Sequence, residues 1–120
     1  PQVKAVLATT KAKFDDFAKL EEKALDRYNQ LGASDKMTED EVANAIELEV
    51  LPTWRQGKTL VWSLEYLPDE LEANLRAYIE TRERAWVAMV AALRKKDQAA
   101  LADAMNLMGE AEKYVEKLKQ

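Results

Sequence analysis

An apolar side chain returns every three or four positions at Val42, Ile46, Val50, Trp54, Gly57, Val61 and Leu64, and Pro52 falls inside that run. A proline in a helix interior removes one hydrogen bond and drives its ring against the carbonyl four residues back, so a helical pattern usually ends there. Here the phase survives. That predicts one continuous helix over about residues 39–67, kinked at Pro52. The carbonyl of Leu48, freed by the proline, is then an acceptor for a ligand, a water or a neighbouring side chain, unless the bend only wraps the helix around a core. Gly57 lies in the same phase, and either lets two helices approach closely or leaves a pocket beside Trp54 and Val61. With three prolines and three glycines in 120 residues, Leu51-Pro52-Thr53-Trp54-Arg55-Gln56-Gly57 is the exceptional stretch of the chain.

The rest of the sequence is helical in pattern and shows no alternation of period two. A first helix over about 3–31 carries Val3, Leu7, Phe14, Phe17, Ala24, Tyr28 and Leu31 on one stripe, interrupted by Thr10 and Glu21, with Gly32 placed to end it. Thr38 and Glu41 have the spacing of a capping box at the start of the second helix, and Met37 and Val42 that of a hydrophobic staple. The third, about 69–95, presents Leu71, Leu75, Tyr78, Arg82, Trp86, Met89 and Leu93, with Ile79, Val90 and Ala91 on a second stripe. Its C-terminal half is apolar nearly all round and needs cover from its own bundle or a partner. Asp97 caps the fourth, about 98–118, which offers Leu101, Met105, Met108, Ala111, Val115 and Leu118. Links of about seven residues, then one or two, then one or two again make neighbours antiparallel. The expected architecture is an all-α, up-down-up-down four-helix bundle forming one domain, with both chain ends at one end of it. A start at Pro1 suggests a piece of a longer or processed protein.

The absence of cysteine and histidine removes thiol nucleophiles, disulfides, thiolate and imidazole metal ligands, and histidine bases together. Di-iron bundles, which need Glu-x-x-His, are excluded with them. The net charge of −4 divides evenly between the two halves, so no basic face for nucleic acid is expected. The longest uncharged stretch, Ala85 to Leu93, is far short of the roughly 20 residues that span a bilayer. Acidic pairs such as Asp15-Asp16 and Glu47 with Glu49 read as solvated charges. Ser34 and Ser63 have no plausible base nearby. An electrostatic enzyme driven by Arg and Glu is the one catalytic reading that needs no histidine, and it ranks last. No catalytic residue, metal site or cofactor is expected.

Counting residues from each turn sets Trp54 and Arg82 at one height, with Phe17 and the turn Met108–Ala111 near the same level. Arg82 occupies a seam position, where a charge is costly unless paired. The expectation is a central layer in which Arg82 stacks on Trp54 as a cation–π pair, with Glu21 as counter-ion. This group either fixes helix register or, with Gly57 beside it, holds a small polar or anionic ligand. Trp62 and Tyr66 fall off the main stripe with Arg55 and Lys58 alongside, which makes Trp62, Tyr66 and Arg55 candidates for an interface.

Three functional expectations follow. The first is a non-catalytic interaction or sensory module. Lys4, Lys11 and Lys13 at the start of helix 1 suit a juxtamembrane segment, and the layout is similar to bacterial extracytoplasmic sensor bundles, more faintly to soluble helical extensions of bacterial membrane proteins such as rhomboid-like ones. No motif carries that likeness. It implies a membrane tether outside residues 1–120 and favours the extracytoplasmic side over the cytoplasm. The second is a small-ligand carrier using Trp54, Gly57, Arg82 and Glu21. The third is a cytosolic adaptor that dimerises through helix 3 around Trp86, Val87 and Val90.

Overall fold

The computed structural model describes residues 2–119; Pro1 and the seam side chains assigned to Val3 and Leu7 lie outside what it describes. Four rods are built from α1 (Gln2–Ala33), α2 (Glu39–Ala45), a π-helical turn (Ile46–Val50), α3 (Leu51–Trp62), α4 (Asp69–Lys95) and α5 (Gln98–Leu118). The second rod is α2, the π turn and α3 in unbroken succession. Successive rods run antiparallel and form the four-helix bundle that the spacing implies, 55 × 22 × 19 Å overall.

The π turn is how the chain carries Pro52. The amide of Leu51 donates to Ile46 O, five residues back, so the turn before the proline is widened by one residue. A wider turn gives the proline ring the room that an α-turn denies it. The break in regularity therefore lies at 46–50, just ahead of Pro52. It also sends two neighbouring acids to different partners: Glu47 pairs with Arg94 of α4 at 3.2 Å, and Glu49 with Arg27 of α1 at 2.9 Å. Both pairs are largely exposed and contribute at most about 1 kcal/mol each.

Helix starts follow the sequence closely. Thr38 Oγ1 accepts from the amide of Glu41 at 3.1 Å, while the Glu41 carboxylate accepts from the amide of Thr38 at 3.0 Å. The backbone hydrogen bond from Thr38 holds the Glu41 carboxyl below the usual range. Asp97 accepts from the amide of Ala100. Helix ends differ from expectation. Helix 1 continues to Ala33, so Gly32 is inside it with an ordinary φ and does not act as a cap. The second rod stops at Trp62, five residues before Leu67. Ser63 Oγ donates to Leu60 O at 2.6 Å, competing for a carbonyl of the last turn, and Leu67 is kept out of the α region by Pro68. The resulting 63–68 link is longer than the one or two residues expected.

The core is aromatic at its centre. Trp54 and Trp86 meet edge to face at 5.0 Å, Tyr78 packs on Trp54 at 5.7 Å, and Phe17 closes the other side at 6.3 Å. Most of the apolar C-terminal half of α4 is covered within the chain: Ile79, Ala85, Trp86, Met89, Val90 and Leu93 are buried, while Val87 and Ala91 are exposed. The closest helix pairings are α4 with α5 and α1 with α3. Thr10 and Lys13 of α1 donate to the carbonyls of Glu65 and Ser63 in the 63–68 link. At that same end, Lys117 and Leu118 of α5 line a cavity with Pro68 and Leu71. The first and last helices thus bring both ends of the described chain to one end of the bundle.

Candidate functional site

The layer expected around Trp54 and Arg82 exists, with different partners. Arg82 is 3% exposed, and its guanidinium carbon lies 5.9 Å from the Trp54 ring centre and 5.1 Å from that of Tyr78. Trp54 gives its indole N–H to Ile79 O at 3.1 Å. Glu21 is not the counter-ion of Arg82. Its carboxylate accepts from the Tyr78 hydroxyl at 2.6 Å, and Glu112 of α5 takes the guanidinium, Nη2 to Oε1, at 2.6 Å. The stripe position of Tyr78 explains this: its hydroxyl reaches α1 at the height of Glu21, ahead of the arginine. Burial pushes the Tyr78 hydroxyl well above the ordinary tyrosine range, against the opposing charge of Arg82 and with help from its bond to Glu21. Tyr28 is raised by burial too, and again opposed by Arg82.

Gly57 serves close approach. A Cβ built on it would stand 3.0 Å from Phe17 Cδ1, so α1 and α3 meet there and no pocket opens beside Trp54. Among the interface candidates, Arg55 is bound to Glu83 at 2.8 Å, as is Lys58. Burial raises the Glu83 carboxyl, but the hydrogen bonds from Lys58 and Arg55 outweigh it and leave the group below its usual range. Trp62 is half-buried between Lys58 and Arg76, whose cations lie 5.3 and 4.9 Å from its ring centre. Arg55 and Trp62 border one shallow cavity, whereas Tyr66 stands apart in the 63–68 link, 78% exposed with φ 64°. Of the three residues named for a dimer face on the third rod, α4, Trp86 has no surface at all and Val90 is buried, while Val87 is exposed. Trp86 faces inward because Trp54 and Tyr28 pack on it.

A cleft reaching this layer lies elsewhere, between α1 and α5. Its volume is about 410 Å³, and it is lined by Leu25, Tyr28 and Asn29 from α1, Met105, Met108, Gly109 and Glu112 from α5, and Arg82 from α4. Other cavities among the described residues, three of them larger, are lined by exposed or half-buried side chains only. This one contains a buried cation. Two buried donors of the same layer, Arg82 Nε and Trp86 Nε1, have no acceptor. Gly109 adds to the opening: a Cβ there would meet nothing within 4 Å. A glycine within a helix costs about 1 kcal/mol relative to alanine, and this one neither enables a close approach nor takes an unusual φ.

The energetics of Arg82 point the same way. Removing a guanidinium from water costs several kcal/mol. Its one ion pair, to a Glu112 side chain that is 62% exposed, returns about 1 kcal/mol at most, and the cation–π contacts with Tyr78 and Trp54 roughly 0.5–2 kcal/mol each. Sequence reasoning had the height of this layer and missed Glu112, although the residue is next to Ala111 in the turn assigned to that level. It also read Tyr28 only as a stripe residue. Among the described residues no group of carboxylates is arranged to hold a metal, and no helix is long and apolar enough to cross a membrane. No family model matches this chain, and neither does any curated protein or solved structure, so the site stands on its own geometry.

Proposed function

We propose that this chain is a non-catalytic helical binding module that takes a small anionic molecule into the cleft between α1 and α5. The observation that carries the reading is Arg82: a buried cation bordering an open cleft, with one donor unpartnered and a single, half-solvated counter-ion. Buried charges are retained in folded proteins when something compensates them, and an anion entering the cleft supplies that compensation. The cleft also separates the two helices that carry the ends of the described chain. Occupation that shifts α1 against α5 therefore changes the spacing of those ends, which favours a sensory role over simple carriage.

The test is a calorimetric titration with benzoate, hexanoate, sulfate and inorganic phosphate, on the wild type and on Gly109→Leu. A leucine at 109 grows into open space and leaves the core untouched, so the variant folds as well as the wild type or better. The proposal expects at least one of these anions to bind the wild type and to lose affinity at least tenfold in Gly109→Leu. Equal binding by both proteins, or no binding by either, refutes it.

A further inference from the structure

Arg82 does not meet the cleft empty-handed. Glu112 touches the guanidinium through Nη2 alone, whereas Nε, the second donor of that fork, is buried behind it and has no acceptor. A carboxylate normally takes a guanidinium through two parallel N–H bonds, so Glu112 makes half of the arrangement that the arginine is built for. Its side chain is 62% exposed and stands at the rim on α5, so moving out into water costs it little. The walls are of a different kind: Leu25, Met105 and Met108 present apolar surface, and thioether side chains adapt to the shape of what they touch. One cation sits among apolar walls. That balances one negative charge and leaves a second one buried without a partner.

Resting on the cleft reading above, we infer that the ligand is a small monocarboxylate with an apolar body, and that Glu112 is a resident carboxylate which the ligand displaces from Arg82. In the empty protein Glu112 holds the guanidinium by one edge. The incoming carboxylate takes both Nη2 and Nε, its apolar part lies against Met105, Met108 and Leu25, and Glu112 turns to solvent. Affinity is then set by competition between an internal carboxylate and an external one. Neutralising Glu112 strengthens binding even though it removes a charge from the site and leaves a polar amide in its place.

The experiment is a calorimetric titration of wild type, Glu112→Gln and Glu112→Asp with benzoate, benzyl alcohol and inorganic phosphate. Benzoate is expected to bind Glu112→Gln about fivefold more tightly than wild type, the upper end of what an exposed ion pair contributes. Glu112→Asp, one methylene shorter, falls between the two and carries the measurement if Glu112→Gln does not fold. Benzyl alcohol, the same body without the charge, binds the three proteins equally. Benzoate affinity that is unchanged or weaker in both Glu112 variants overturns the displacement while leaving the anion cleft in place. Phosphate binding without benzoate binding overturns the monocarboxylate. Failure of every anion with every protein overturns the cleft reading itself.

Discussion

Replacing Arg82 with methionine separates a structural arginine from a retained one. Methionine has similar volume and reach, so the aromatic layer stays filled. The substitution gives up the ion pair to Glu112, about 1 kcal/mol at most because that partner is mainly in water, and cation–π contacts of roughly 0.5–2 kcal/mol each with Tyr78 and Trp54. In return it relieves the desolvation of a guanidinium, several kcal/mol, and the unsatisfied Nε, about 1–3 kcal/mol. The balance favours methionine by about 1 kcal/mol, which at this chain length raises Tm by about 4 °C. Urea unfolding followed by circular dichroism at 222 nm gives the difference, provided the m-value is unchanged. A loss of more than about 2 kcal/mol means that Arg82 organises the core, and the argument that it is kept for a ligand then fails.

Other consequences are open to simple tests. Gly57→Ala gains about 1 kcal/mol of helix propensity but drives a methyl to 3.0 Å from Phe17, whose ring is wedged between Phe14 and Trp54; a net loss of about 1 kcal/mol in thermal unfolding is expected, and a smaller loss when the same change is made in a Phe17→Leu background. Lys96 ends α4 in the left-handed region at φ 55°, so Lys96→Gly should stabilise by about 1 kcal/mol in thermal unfolding, with loss of stability as the contrary result. Because the folded Glu83 carboxyl lies below its usual range, its contribution is present above pH about 4.3 and is lost as pH falls through the lower folded value; Glu83→Gln should flatten the acid limb of a stability–pH curve.

The fold was legible because local signals and the apolar period agree. Thr38 with Glu41, Asp97 and Pro68 mark helix starts with chemistry that acts within three residues. The π turn was not read from the sequence, which placed a kink at Pro52 instead, although the three successive steps of four from Val42 to Trp54 carry its mark. At about 100° per residue each step overshoots a full turn by about 40°, so an α-helix would rotate this stripe off the core, and one widened turn brings it back. Helix ends were less readable. Gly32 resembles a cap, but nothing local requires it to take a positive φ, and the stop at Trp62 depends on a serine hydroxyl competing for one carbonyl. The site was half legible. Rise per residue gave the level of Arg82. Which acid it meets depends on lateral packing: α5 lies against α4, and Tyr78 intercepts Glu21.

On the reading proposed above, Arg82 Nε donates to an external carboxylate when the ligand binds. Its Nε–Hε signal in a ¹H–¹⁵N spectrum reports on that bond directly during a benzoate titration. The Arg82 signal is expected to move downfield and to exchange more slowly with water as benzoate is added, while the Nε–Hε signals of Arg27 and Arg76 stay in place. An Arg82 signal that does not move while benzoate binds shows that the anion sits elsewhere and that Arg82 is not its partner.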